Sequence, residues 1–89
     1  MAAERLHLRV YTPEKTLVED DVREVTAPGA DGEIGVLPDH TALVTALAPG
    51  VLSYRNERGS VKLQIEGGFA EVLDNVMTVL ADGGERVTG

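Results

Sequence analysis

Apolar and polar residues alternate along much of this chain, and this pattern constrains its fold more than any other feature. Leu6, Leu8 and Val10 fall on one side of a first segment, and His7 and Arg9 fall on the other. Successive side chains of a β-strand point to opposite faces, so a period of two predicts half-buried strands rather than helices. Similar alternation returns in residues 43–47 and 61–65.

Turn-forming residues separate these segments at short intervals. They stand at residues 28–32 (PGADG), 48–50 (APG), 56–59 (NERG) and 74–75 (DN). Gly, Asn and Asp tolerate the positive φ angles of tight turns, and Pro fixes the φ angle that begins many of them. The pattern predicts an all-β fold, an antiparallel β-sandwich of about eight to ten short strands. Residues 1–82 are assigned to the sandwich and residues 83–89 to a flexible C-terminal tail.

Two segments leave their local structure open. Residues 22–27 favour one strand, but Val22 and Val25 are three positions apart, which breaks the period and predicts a bulge. Residues 41–47 are the one stretch with some helical character, although they are too few to form a stable helix alone.

Composition narrows the classes of function. With 89 residues, the chain is long enough for a single core, and 43% hydrophobic residues are typical of a globular protein. It has no cysteine, so neither a disulfide nor a thiolate metal site is expected. A net charge of −7 would repel phosphate groups, which disfavours nucleic acid as a partner. No apolar run reaches the roughly 18 residues that a membrane span needs.

The residues of catalytic sites do not form a pattern in this sequence. Ser53 and Ser60 lie in or beside predicted strands, and neither stands on a Gly-x-Ser-x-Gly turn. His7 is expected on the exposed face of its strand, and His40 follows Asp39 in a loop, where turn chemistry explains both residues. The sequence therefore predicts a protein that is not an enzyme.

Ligand-binding patterns are equally weak. Asp31, Glu33 and Asp39 share one region, but a calcium loop needs more oxygen ligands at closer spacing. Gly29, Gly32 and Gly35 recur every three residues without a following Lys or a strand-to-helix context, so they do not make a phosphate loop. We expect no metal and no cofactor.

Residues 33–38 (EIGVLP) carry apolar side chains at consecutive positions between Gly and Pro residues. A half-buried strand would alternate, and a solvated loop would be polar. Two interpretations remain from the residues alone: an exposed apolar loop that contacts another protein, or a buried edge strand.

The stretches GADGEIGVLPDHTALVTALAPGVLSYR and GGFAEVLDNVMTVLAD, with the opening LHLRVYTPEKTLVEDDVREVTAPG, resemble the N-terminal domain of the epsilon subunit of bacterial F-type ATP synthases. The resemblance covers nearly the whole chain. It implies a ten-stranded sandwich in the central stalk, a non-catalytic rotor subunit that bridges the gamma subunit and the c-ring and so couples ion-driven rotation to ATP synthesis. It also implies a peripheral location at the cytoplasmic face of the bacterial inner membrane, held there through the complex and without self-association.

The family places its c-ring contact on the loop that carries an acidic residue and a histidine. In this sequence the corresponding residues are Glu33, Ile34, Gly35, Val36, Leu37, Pro38 and His40. Asp39 stands where the family usually has Gly before the histidine; Asp is among the residues that tolerate φ > 0, so we expect the turn to survive. The family usually continues as two inhibitory C-terminal helices, whereas this sequence ends at GGERVTG, so we expect a subunit without that inhibitory function.

Two other classes of function stand beside the rotor subunit. A free-standing β-sandwich binding module is one, although one Phe, two Tyr and no Trp offer few aromatic anchors for a ligand groove. A small hydrolase is the other, and it lacks a nucleophile–base pair. Co-purification with a large membrane complex would separate the rotor subunit from the binding module, and turnover by the isolated chain would reveal the hydrolase.

Overall fold

The computed structural model describes residues 3–88, which form ten strands and no helix. In chain order the strands are β1 (Leu6–Tyr11), β2 (Thr16–Val22), β3 (Glu24–Gly29), β4 (Gly32–Val36), β5 (Leu43–Leu47), β6 (Gly50–Asn56), β7 (Gly59–Ile65), β8 (Gly68–Leu73), β9 (Val76–Ala81) and β10 (Gly84–Thr88). The predicted all-β class and strand number are confirmed. Residues 1, 2 and 89, which the prediction placed in the sandwich and the tail, lie outside the described residues.

The strands pair in the order β10-β7-β6-β3-β5-β8-β9-β1-β2, and β4 pairs with β3. Between β3 and β5 only Gly29 and Leu47 are paired, so the ladder is weakest there and folds into two layers. β2 then contacts β6 and β10, which brings the two layers together. Every pairing among the described strands is antiparallel except that of β1 with β9, which is parallel.

Alternating side chains of both layers form one core. The largest fully buried side chains are Leu6, Leu8, Leu52, Leu63, Ile65 and Met77. Fully burying a side chain of this size contributes about 1.5–3 kcal/mol relative to leaving it exposed. Within residues 3–87 no polar or charged residue is buried, so the core is held by apolar packing.

The tight turns lie where the sequence predicts them. Asp74 and Asn75 connect β8 to β9 with φ angles of 50° and 63°. A two-residue hairpin turn of this kind requires both central residues to be in the left-handed region. Glu57 and Arg58 connect β6 to β7, and Ala30 and Asp31 connect β3 to β4. The conditional expectation for Asp39 is also met, because its φ angle is 63°.

The prediction of one bulged strand across residues 22–27 is wrong. β2 ends at Val22 and β3 begins at Glu24, and the two strands pair with β1 and β6, in different layers. The chain crosses between layers at Arg23, whose N–H donates to the carbonyl of Arg55 at 2.7 Å. Val22 and Val25 are both buried at a spacing of three because each belongs to a different strand.

Two other local expectations also differ from the structure. The segment with possible helical character contains β5, which pairs along its whole length with β8. The segment predicted to be a flexible tail contains β10, which pairs with β7 from Gly84 opposite Ile65 onwards. Both strands depend on partners distant in sequence, so tertiary pairing overrides their weak local signals.

Candidate functional site

The segment of residues 33–40 begins as an edge strand. Among the described strands, only β3 pairs with β4. Ile34 is half-buried against the core and Val36 is 1% exposed, whereas Glu33 and Gly35 face outward. The edge-strand interpretation is confirmed for one face of β4, which belongs to the core, while the other face is exposed; the contact with another protein stays a prediction.

The apolar character of the exposed part comes from the loop after β4. Leu37 is 58% exposed, and the N–H of His40 donates to its carbonyl at 3.1 Å, which closes a turn. His40 Nδ1 donates to the carbonyl of Thr41 at 2.7 Å, which leaves Nε2 as the ring nitrogen without a proton when the ring is neutral. Of the predicted contact residues, Glu33, Gly35 and Leu37 are exposed, and the buried Val36 side chain supports the strand from the core side.

A second surface lies on the outer face of the layer that contains β5, β8, β9 and β1. Phe69 stands opposite Leu80 and Ala46 in the neighbouring strands, and Leu80 stands opposite Tyr11. We call these four residues the apolar row. Phe69 is 60% exposed and Leu80 is 56% exposed, and Val44 on β5 is 72% exposed beside a shallow groove that Phe69 and Leu80 also line.

Sequence reasoning did not find the apolar row. One local signal was present: residues 76–81 (VMTVLA) are apolar on both faces of their strand, unlike the alternating first strand. A strand that is apolar on both faces needs cover on both sides. Locating that surface required the register of β5, β8, β9 and β1, which local patterns do not provide.

His7 lies between two carboxylates on the outer face of β1 and β2. Its Nδ1 is 2.8 Å from Asp21 Oδ1, and its Nε2 is 2.5 Å from Glu19 Oε2. These hydrogen bonds, first to Asp21 and then to Glu19, raise the pKa of His7 above its ordinary value of 6.5. The hydrogen bond to His7 in turn lowers the pKa of Glu19. Arg9, 3.5 Å from Glu19, adds a second positive charge to this cluster.

We expect the His7 cluster to make stability depend on pH. Because the folded-state pKa of His7 is raised, its contribution is fully present below about pH 6.5 and is lost as pH rises through the folded-state pKa. Because the pKa of Glu19 is lowered, its contribution is present above about pH 4.5 and is lost as pH falls through its folded-state pKa. Thermal melts of the wild-type chain should therefore show a Tm that falls on the alkaline side, whereas His7→Gln, which cannot titrate, should lack that decrease. The same alkaline slope in both chains would contradict this assignment.

Among residues 3–88, no group of three or more His, Cys, Asp or Glu side chains is placed to hold a metal ion. Ser53 and Ser60 lie within β6 and β7 and line a shallow groove with Arg55 and Lys62. Residues 3–88 contain no helix that is long and apolar enough to cross a membrane. The outward face of β4 with its loop, and the apolar row, are the two surfaces that stand out.

Comparison with known proteins shows the family to which this chain belongs. Residues 5–87 match the family model described as the ATP synthase delta/epsilon chain β-sandwich domain. The chain belongs to this family. The match includes nearly all of β10, and so most of the segment that the sequence had assigned to a tail.

Individual epsilon-chain relatives agree with this membership. The chain is 50% identical over 80 residues to the ATP synthase epsilon chain of Desulfatibacillum aliphaticivorans, covering 89% of this chain and 57% of the relative. It is 49% identical over 85 residues to that of Desulfosudis oleivorans, covering 94% and 64%. The chain therefore spans about three fifths of the length of these relatives.

Solved structures with the same fold come from two mitochondrial ATP synthases. A chain in the Euglena gracilis OSCP/F1/c-ring structure aligns with a TM-score of 0.88 and 29% identity, covering 97% of this chain and 56% of that one. A chain in the Tetrahymena thermophila central stalk/c-ring structure aligns with a TM-score of 0.79 and 20% identity, covering 94% and 68%. At 20% identity the second match supports the fold alone.

Proposed function

We propose that this chain is a non-catalytic rotor subunit of an F-type ATP synthase, which binds the gamma subunit with one surface and the c-ring with another. In this proposal it couples ion-driven rotation of the c-ring to ATP synthesis elsewhere in the complex. It lies at the cytoplasmic face of a bacterial inner membrane and is held there by its protein partners. Membership of the epsilon-chain family and the solved c-ring complex with a similar chain support this proposal.

The exposed apolar row is the observation that carries the proposal. Phe69 and Leu80 lie side by side between Tyr11 and Ala46, and a contiguous patch of exposed apolar side chains marks a protein interface. Standard interfaces bury about 800 Å² per partner around a few apolar or aromatic anchors. Phe69 and Leu80 supply such anchors, with Val44 beside them, and we assign this face to the gamma subunit.

The outward face of β4 and its loop form the second surface, assigned here to the polar loops of the c-ring. Glu33 and Leu37 are exposed and His40 is half-buried, so a carboxylate, an aliphatic side chain and an imidazole are accessible on one segment. A single exposed ion pair contributes about 0–1 kcal/mol, so Glu33 alone is expected to tune this contact rather than create it. Apolar contact through Leu37 supplies the larger part.

The work of such a subunit is mechanical. Torque passes between two partners only if the domain between them resists deformation. The β8–β9 ladder is paired continuously from Gly68 opposite Ala81 to Leu73 opposite Val76. The strands of the two layers pack on one apolar core, and close-packed interiors deform little. The fold thus provides a stiff body between its two proposed contacts.

Binding to gamma tests the proposal directly. We expect calorimetric titration of the folded chain with its cognate gamma subunit to show one-to-one binding. A cysteine at position 33 should then crosslink to the loops of the c-ring in the assembled complex. Absence of gamma binding by a chain whose circular dichroism shows a folded β domain would refute the rotor function, and would favour a free-standing binding module that uses the apolar row for another ligand.

A further inference from the structure

Asn75 connects three parts of the chain that are far apart in sequence. Its Oδ1 accepts the N–H of Asp39 at 2.8 Å, and its Nδ2 donates to the carbonyl of Arg5 at 2.6 Å. Its own carbonyl accepts the N–H of His7 at 3.1 Å. The loop after β4, the segment before β1 and the β8–β9 turn therefore meet at one amide side chain.

Asp39 is the point at which the loop is held. It has a φ angle of 63°, its N–H bonds to Asn75, and its Oδ2 accepts the N–H of Ala3. His40 follows it directly, and Leu37 closes the turn on the other side. Leu37 and His40, which this turn joins on either side of Asp39, are both proposed c-ring contact residues, so a displacement of Asp39 would displace both.

The β8–β9 hairpin carries Asn75, which holds Asp39, at one end and part of the apolar row at the other. Phe69 and Leu80 lie near the end of the hairpin remote from the turn. Leu80 and Asn75 are five residues apart, which is about 17 Å along an extended strand. A single paired hairpin therefore runs from the face assigned to gamma to the anchor of the c-ring loop.

We propose that Asn75 is a positioning residue for the c-ring contact, which ties the loop of residues 37–41 to the β8–β9 hairpin and so to the gamma-binding face. This inference rests on the proposed rotor function. Without the amide, the loop is held mainly at its two ends, and rotation of the c-ring displaces the loop before it turns the domain. With the Asn75 amide in place, a force on the loop is transmitted directly to the paired strands β8 and β9.

Asn meets both requirements of this position. The turn needs φ > 0, which Asn tolerates better than most residues other than Gly. The bridge needs an acceptor for Asp39 and a donor for Arg5 in one side chain, and the carboxamide supplies both. Gly would satisfy the turn without the bridge. Asp would keep the acceptor and lose the donor.

These differences define the test. Asn75→Gly keeps the backbone preference of the turn, Asn75→Asp keeps half of the bridge, and Asp74→Gly is the matched control at the other, exposed turn position. For Asn75→Gly we expect hydrogen exchange of the Asp39 amide, followed by NMR, to accelerate by about tenfold. Binding to the detergent-solubilised cognate c-ring should weaken by about tenfold. Gamma affinity should stay within about twofold of the wild type, because the apolar row lies at the other end of the hairpin.

The outcomes separate this inference from the function on which it rests. Weaker c-ring binding with unchanged gamma binding, and Asp39 protection in Asn75→Asp closer to wild type than in Asn75→Gly, would support the positioning role. Wild-type c-ring affinity in Asn75→Gly would overturn that role alone. A wild-type chain that binds no c-ring would overturn both. Equal loss of gamma and c-ring binding would indicate a general structural role and would also overturn the inference.

Discussion

Replacing Phe69 with Asp is expected to leave the domain folded and to weaken its binding to gamma by about a hundredfold or more. Phe69 is 60% exposed and faces away from the core, so its loss creates no cavity. In the proposed complex it stands at the centre of the interface, between Leu80 and Ala46. Truncating a central aromatic anchor costs about 2–4 kcal/mol, and burying an unpaired carboxylate in its place adds a further penalty.

The control for this prediction lies on the other layer. Val51 on β6 is 47% exposed, so Val51→Asp introduces the same charge at an outward, apolar strand position away from the apolar row. Titration calorimetry should show gamma affinity close to wild type for Val51→Asp and a large loss for Phe69→Asp. Circular dichroism melts should show that both variants remain folded. Equal affinities of the two variants would mean that gamma binds elsewhere on the domain.

Local patterns in the sequence were sufficient for the class of the fold. The alternation of Leu6, Leu8 and Val10 predicts a strand with one buried face, and all three side chains are fully buried. Asp74 and Asn75 predict a tight hairpin, and both adopt positive φ angles. These features succeed because a strand's period and a turn's backbone angles are properties of a few adjacent residues.

Features that depend on distant partners were not predictable in this way. The crossing between layers at Arg23 is visible only once β2 is paired with β1 and β3 with β6. β10 (GERVT) is mostly polar and begins with a glycine, and pairing with β7 makes it a strand. The parallel pairing of β1 with β9 joins segments about seventy residues apart. Periodicity identifies a strand but does not name its neighbour.

The same limit explains the candidate surfaces. The apolar run in residues 33–38 identified the β4 segment, because consecutive apolar residues between Gly and Pro are conspicuous in any sequence. The apolar row was missed because its members come from four strands and become adjacent only through register. Asn75 was correctly predicted as a turn residue, but its bond to Asp39, 36 positions away, has no local signature.

Gly68→Ala is expected to cause the largest loss of stability of any substitution proposed here, about 4 kcal/mol or more. Gly68 begins β8 with a φ angle of 132°, a conformation that residues with a side chain rarely adopt. A Cβ atom there would lie 2.0 Å from the carbonyl oxygen of Leu80 and 2.9 Å from the Cα of Ala81, both in the paired strand β9. Relief of that overlap requires β8 and β9 to separate at the end that carries Phe69 and Leu80. Small domains are stable by about 5–15 kcal/mol, so this change consumes much of the total.

Two other glycines separate the backbone strain of Gly68→Ala from its steric overlap. Gly32 has a φ angle of 134° with no atom within 4 Å of an added Cβ, whereas Gly35 has open space and no such φ angle. In urea unfolding we expect Gly35→Ala to change the free energy of unfolding by less than about 1 kcal/mol. Gly32→Ala should lose about 1–3 kcal/mol through strain alone. Gly68→Ala should exceed Gly32→Ala by the cost of the overlap, so equal losses at the two positions would show that β8 and β9 do not approach as closely as described. A larger loss at Gly68 would establish that the backbones of β8 and β9 lie too close together at this position to admit a side chain. This strand pair links the two proposed contact surfaces.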